Sequence, residues 1–286
     1  MSSQLVWVIT GTSSGFGREI ALEALARGDK VIATARGKSV QKLDDLKAKG
    51  ADTLELDVTA PLGTLKEVAQ KAAEIHGRVD VVVNNAGYCQ IGMLEETTEE
   101  ETFAQFNTNL FGGLNVARAF LPHMRPRRTG MLVWLGSLAG WTAVPIGGLY
   151  SGTKAAMRRF SDALGEELKP LGIRSICIDP GEFRTAFLNE GHATAYTARI
   201  SDYGEMAKQI TDRLTVVNNN QPGDPIKAVQ IIVDVVRGEG VAKDKPFPKS
   251  LQLGSDCYQV AKASAEESLK TLEIWKDVSC SADHKD

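Results

Sequence analysis

Tyr150 and Lys154 stand four positions apart in a stretch that reads as the start of a helix, so a phenol and an ammonium share one face, one turn apart. A positive charge beside a phenol stabilises its anion and draws its pKa towards neutrality, which suits a general acid working near pH 7. Ser137 lies upstream, at the exit of an apolar run, and its hydroxyl can hold and polarise a carbonyl oxygen. A second pair, Tyr258 and Lys262, repeats the spacing beyond the last apolar strand and reads as a solvated helix face. The chemistry these types suggest is proton transfer to or from an oxygen.

A second constellation occupies the start of the chain, where Thr10-Gly11-Thr12-Ser13-Ser14-Gly15-Phe16-Gly17 joins an apolar run to an Ala- and Leu-rich helical pattern. Gly11, Gly15 and Gly17 let backbone approach a pyrophosphate closely, and the unpaired N–H groups and dipole of the following helix attract its charge. Ser13, Ser14 and Phe16 share that turn. The spacing is G-x-x-x-G-x-G, not G-x-G-x-x-G, and a ligand-free glycine connection is the plain alternative. The same residues satisfy G-x-S-x-G, which would make Ser13 a hydrolase nucleophile. Such an elbow usually follows several strands and needs an acid and then a histidine downstream, whereas here one strand precedes it and the later histidines are His192 and His284. At the end of the second apolar run stands Thr34-Ala35-Arg36, with no carboxylate to receive an adenosine ribose. Arg36 can pair with a 2′-phosphate, and Ser14 can add a hydroxyl, so NADP(H) is the expected cofactor; a solvated arginine at a strand exit is the bland reading.

These residues need a scaffold, and the chain alternates short apolar runs with amphipathic segments. Strands are expected near 5–10, 30–35, 53–56, 79–83, 131–136 and 173–178, each unbroken by charge in its centre, as strands buried on both faces should be. Helices are expected near 16–28, 39–49, 62–76, 99–124 and 149–169, long enough for right-handed crossovers between parallel strands. The expected fold is α/β, a Rossmann-type doubly wound parallel sheet with helices on both faces. One domain over 1–286 carries a substrate lid at 182–221, where the rhythm breaks, and a C-terminal helix and tail at 255–286, the helix itself reading as 261–275.

Composition narrows the class. With 43% hydrophobic and 24% charged residues over 286 positions, the chain is an ordinary globular protein. A formal charge of −3, with Arg125-Pro126-Arg127-Arg128 as the only dense basic run, argues against nucleic acid. No apolar stretch nears the ~18 residues of an integral membrane span, and neither a leader before 5–9 nor a signal at 284–286 is evident. Cys89, Cys177, Cys257 and Cys280 form no C-x-x-C pair and, with His76 and His123, no metal-ligand spacing, so no metal is expected and a cytoplasmic location is the default.

Taken in order, Thr10-Gly11-x-x-x-Gly15-x-Gly17, Asp57-Val58, Asn84-Asn85-Ala86-Gly87, Asn109, Ser137, Tyr150 with Lys154, and Pro180-Gly181 resemble the short-chain dehydrogenase/reductase family over nearly all of 5–255. The pattern Val31-Ile-Ala-Thr34-x-Arg36 with Gly136-Ser137-Leu-Ala-Gly140 is similar to the branch holding hydroxysteroid and retinol dehydrogenases and fungal carbonyl reductases. The resemblance implies that Tyr150 protonates the carbonyl oxygen as hydride arrives, that Ser137 orients it, and that Lys154 both binds the nicotinamide ribose and lowers the Tyr150 pKa. It implies further that Asn109, rather than Asn107, anchors a water relaying protons to Lys154; an amide satisfying a helix kink is the alternative. Asp57 and Val58 would face adenine, Asn84, Ala86 and Gly87 would run along the cofactor, and Pro180, Gly181 and Thr185 would lie near the carboxamide. Asp57 also reads as a capping acid.

The lid segment contributes Phe183, Phe187, Leu188, Tyr196, Tyr203, Met206, Ile210 and Leu214, the last three forming a helical stripe that either lines a pocket or packs on the body. Cys89, Met93, Trp141 and Val144 are candidates for the opposite wall. An uncharged carbonyl or alcohol substrate follows unless Arg184 or Arg199 turns inward. A homodimer or homotetramer is expected, because 99–124 and 149–169 carry more apolar positions than one sheet face needs. A protein that binds NADPH as a sensor, without turnover, is the alternative outside enzymology.

Overall fold

The computed structural model describes residues 4–188 and 192–284. Strands form where β-branched and apolar residues run together: β1 Val6–Ile9, β2 Lys30–Ala35, β3 Asp52–Glu55, β4 Val81–Asn84, β5 Gly130–Leu135, β6 Ile173–Pro180 and β7 Ser250–Leu253. They pair in parallel in the order β3-β2-β1-β4-β5-β6-β7. Strand order therefore reverses between β1 and β4, and a crevice opens beyond the carboxyl ends of those strands.

Helices α1 Gly15–Ala26, α2 Asp44–Ala48, α3 Leu62–His76, α4 Glu99–Phe106, α5 Gly112–Met124, α6 Gly148–Leu168, α7 Gly204–Val217, α8 Pro225–Arg237 and α9 Ser255–Cys280 complete the described elements, with short 3₁₀ turns between them. Alternation along β1 sends Trp7 and Ile9 to one layer, against Ile20 and Ala24 of α1 and Val229 and Ile232 of α8. Val6 and Val8 face the other layer, with Leu65 of α3, Val116 of α5 and Met157 of α6. Burial of one such side chain contributes about 1.5–3 kcal/mol, so both faces of the sheet are cores. This is the doubly wound architecture that the unbroken apolar runs require.

Four boundaries differ from expectation, each for a local reason. The segment read as one helix over 39–49 is a 3₁₀ turn, Gly37–Leu43, followed by the short α2. The segment 99–124 is three pieces, because a π-turn at Asn107–Phe111 separates α4 from α5. Strand β3 is only partly buried, because it lies at the edge of the sheet. Helix α9 starts earlier than 261 and runs to Cys280; it leaves the body beyond Ala261, with Leu269, Leu272, Ile274, Trp275 and Val278 each more than half exposed. Local chemistry marks other boundaries well: Thr98 and Glu101 form a reciprocal capping box at α4, and α8 runs from an Asp224 cap and Pro225 to a left-handed Gly238.

Candidate active site

The first turn of the crevice is held from beneath. Thr10 Oγ1 accepts from the Asn85 and Ala86 N–H groups, both at 3.0 Å, and donates to Val83 O at 3.1 Å. Asn85 Nδ2 donates to the carbonyls of Thr10 (2.8 Å) and Gly11 (3.0 Å), tying the turn after β1 to the turn after β4. Gly11 has φ +70°, and a Cβ there would lie 2.9 Å from the Ala86 Cα, so the position admits no side chain. Ser14 caps α1 with extended backbone, its side chain makes no capping hydrogen bond, and no acid stands in the first turn. The leading N–H groups of α1 thus face the crevice with no carboxylate beside them, a fit for an anionic group.

That crevice is a cavity of 580 Å³, lined along one course by Gly11, Ser13, Ser14, Gly15, Phe16 and Arg36, then Asp57, Val58, Ala86 and Gly87, and at its inner end by Ser137, Tyr150, Lys154, Pro180, Gly181 and Thr185. Three expected residues are not in its lining. Gly17 lies under the turn, where α1 passes close to Asn85 and the Gly11 carbonyl. Asn84, 4% exposed, is the last residue of β4, close to Gly113, and its neighbour Asn85 reaches the cavity instead. Asn109 lies buried within the π-turn, where its amide accepts from Tyr88 N at 3.0 Å and donates to Tyr88 O at 2.9 Å. It therefore holds the loop after β4, and its contact towards α6 is with Thr153 at 3.4 Å rather than with Lys154. Asp57 lines the cavity, and its carboxylate accepts from Thr59 N and Oγ1; it does not cap a helix, because α3 begins at Leu62 behind Pro61.

At the inner end, Ser137 follows β5 and its Oγ accepts from Ala139 N at 3.1 Å. The Ser137 hydroxyl hydrogen-bonds Tyr150, and the Tyr150 ring lies 5.5 Å from that of Phe187. Lys154, 5% exposed, donates from Nζ to Leu135 O and stands 5.4 Å from the Tyr150 ring centroid. Burial pushes the Tyr150 phenol well above its usual range, with the Ser137 hydrogen bond pulling the other way. Burial also brings the Lys154 ammonium down to about 8. The expected lowering of the Tyr150 pKa by Lys154 has no counterpart here: burial raises it, Cys89 and Asp179 act in the same direction, and the Ser137 hydroxyl opposes them. Cys89 lines the same end, but burial pushes its thiol up to about 12, so it is a neutral wall and not a nucleophile.

Sequence reasoning missed the layer behind Ser137. Asp179, fully buried at the end of β6, accepts from Ser137 N (3.3 Å) and Trp141 Nε1 (2.9 Å) and pairs with Arg158 at 3.2 Å. Arg158 in turn stacks 3.4 Å over the Trp141 ring. The only hint in the chain is an acid at the next-to-last position of a strand with an apolar centre.

Over the cavity lie the described parts of the lid segment, 182–188 and 192–221. Phe183 packs edge-on against Phe16 at 5.3 Å, and Phe187, Leu188, Ile210, Leu214 and Val217 line the opening together with Val144 and Ile146. Met206 is half exposed and outside the lining; Ala207 is the buried member of α7. Met93 and Trp141 do not reach the cavity. Arg184 is spent on Gln221 O, and Arg199 on Glu96 O and Glu101. His192 Nε2 is 3.0 Å from Ser14 Oγ, not at Ser13, and among the described residues no carboxylate holds its ring, so no Ser13 triad assembles.

Residues 5–195 match the family model described as short chain dehydrogenase. A 3-ketodihydrosphingosine reductase of Bacteroides thetaiotaomicron is 36% identical over 205 residues, 72% of this chain and 73% of that protein. The crystal structure of a short-chain dehydrogenase from Streptomyces avermitilis superposes with a TM-score of 0.87 at 37% identity, covering 99% of this chain and 100% of that one. An actinorhodin polyketide ketoreductase variant solved with NADPH gives a TM-score of 0.70 at 26% identity, with coverage of 88% and 97%.

Proposed function

The chain belongs to the short-chain dehydrogenase family, and from that we propose that it is an NADPH-dependent oxidoreductase that reduces the carbonyl group of an apolar ketone or aldehyde to an alcohol, or runs the reverse. One observation carries the reading: Ser137, Tyr150 and Lys154 converge at the inner end of a cavity whose outer course is a phosphate-fitting glycine turn ending at Arg36.

A nicotinamide cofactor, when bound, would supply the hydride. Ser137 and Tyr150 hold the carbonyl oxygen between their hydroxyls, and Tyr150, kept protonated by its burial, gives its proton to that oxygen. Lys154 binds the ribose hydroxyls and returns a proton to Tyr150. In this reading Asn109, which holds Tyr88 and touches Thr153, anchors a water feeding that relay. Asp57, Val58, Ala86 and Gly87 hold the adenosine side, while Pro180, Gly181 and Thr185 hold the nicotinamide side. All four cysteines are free, among the described residues no helix is long and apolar enough to cross a membrane, and a cytoplasmic location is part of this proposal.

Consumption of NADPH against a panel of ketones, aldehydes and quinones tests the activity; binding without consumption of any of them would make the protein a sensor instead. Cofactor choice rests on Arg36, Ser39 and Lys42 lining the cavity beyond β2. NADPH is expected to bind roughly tenfold or more tightly than NADH, and Arg36→Asp to remove that preference. Equal dissociation constants in the native protein would defeat the choice of NADPH.

The same reading includes a homo-oligomer. Phe103 (63%) and Phe111 (42%) on the α4–α5 face, with the uncovered apolar side chains of α9, supply the surface for an isologous contact. Light scattering at micromolar concentration should report at least twice the mass of one chain, and a monomer would count against it.

A further inference from the structure

The lid carries one imidazole into the cofactor crevice. His192, about half-buried, lines the cavity with Nε2 3.0 Å from the Ser14 hydroxyl. Its backbone is pinned there, because its carbonyl accepts from Cys89 N at 2.8 Å and Thr194 N donates to Cys89 O at 3.0 Å, closing a parallel bridge between the lid and the loop after β4. Lys42, on the 3₁₀ turn after β2, is the charge that acts on it, while Arg36, Asp57 and Glu182 line the same cavity without acting on the ring. The glycine turn opposite offers only hydroxyls, and the Cys89 thiol beside the bridge is neutral. A histidine between a lysine and a serine, with no carboxylate hydrogen-bonded to it among the described residues, is placed for an anion rather than for a cation or a buried ion pair.

We propose that His192 is a ligand of the cofactor's 2′-phosphate, completing from the lid a site that Ser14, Arg36 and Lys42 form from the body, and that NADPH binding therefore takes up a proton at His192. In the protein alone, burial and the Lys42 charge hold the imidazole below its ordinary pKa, so it is largely neutral at pH 7 and above. A phosphate dianion beside it favours the imidazolium, which raises that pKa on binding and couples affinity to protons. The lid then senses the group that distinguishes NADPH from NADH, and does so independently of the substrate.

The inference rests on the NADPH reading, and the test separates the two. Dissociation constants for NADPH and NADH are measured by fluorescence titration on the native protein and on His192→Gln at pH 6.5, 7.5 and 8.5. Calorimetry in buffers of unlike ionisation enthalpy adds the proton count. The glutamine keeps a donor and loses the titration. His192→Gln should weaken NADPH roughly tenfold at pH 6.5, with the gap narrowing as pH rises, and should leave NADH unchanged. Proton uptake with NADPH at pH 7.5 should be larger in the native protein than in the variant; the comparison cancels the titration of the phosphate itself. Equal weakening of both cofactors, or an unchanged NADPH constant and proton count, would overturn the role of His192. A native protein with no preference for NADPH would instead overturn the cofactor reading.

Discussion

Tyr150→Phe is expected to lower turnover by about 10² or more while NADPH binding stays nearly intact, the size of effect that follows loss of a positioned general acid. The substitution removes one oxygen and leaves the ring against Phe187, so the cavity wall survives. What is lost is the proton that Ser137 helps aim, and burial keeps that proton on the phenol over the whole working range. Lys154 sets the pH limit. Its ammonium, brought down to about 8 by burial, is present below that pH and is lost as pH rises through it. Reduction should therefore fall on the alkaline side of pH 8, with the protein still folded by circular dichroism. Tyr258→Phe is the control: Tyr258 is 58% exposed on α9 and not part of the cavity lining, and its removal should change little. Retained turnover in Tyr150→Phe would take the phenol out of the mechanism.

Whatever repeats along the chain or lies within one turn of it could be read without a structure. Runs with an apolar centre, such as Val81–Asn84 and the Ile176–Ile178 stretch of β6, mark strands covered on both faces because no charge can sit there unpaired, and parallel pairing follows from the helices between them. The glycine turn was legible for a similar reason: Gly11 has to be a glycine where Ala86 comes so near. The illegible parts depend on contacts across the fold. Asn84 and Asn85 are adjacent and chemically identical, yet only the pairing of β4 with β1 decides which one reaches Gly11. Nothing local ties Asp179 to Ser137, Trp141 and Arg158, and the π-turn around Asn109 looks like plain helix in a hydropathy pattern. The Lys154–Tyr150 spacing was correct as geometry but incomplete as electrostatics, since burial, which governs both pKa values, is a property of the packed site.

Substrate choice is where the lid decides between two chemistries, and the expected result is faster reduction of bulky cyclic or aromatic carbonyl compounds than of short aliphatic or carboxylated ones. A small keto acid would need a cation at the opening, and Arg184 and Arg199 were the two available. Arg184 donates to Gln221 O, Arg199 reaches Glu96 O and Glu101, and neither lines the cavity. The opening is instead walled by Val144, Ile146, Phe187, Leu188, Ile210 and Leu214. Covering one ring of a ligand with such side chains contributes about 2 kcal/mol at ~25 cal/mol per Å², which is roughly thirtyfold in kcat/KM. The comparison is made with both substrate sets at the same NADPH concentration, and Ile210→Ala should narrow the gap by removing part of the wall without touching Tyr150. A clear preference for small keto acids would sink the apolar opening and require one of the two arginines to leave its present partner and turn inward.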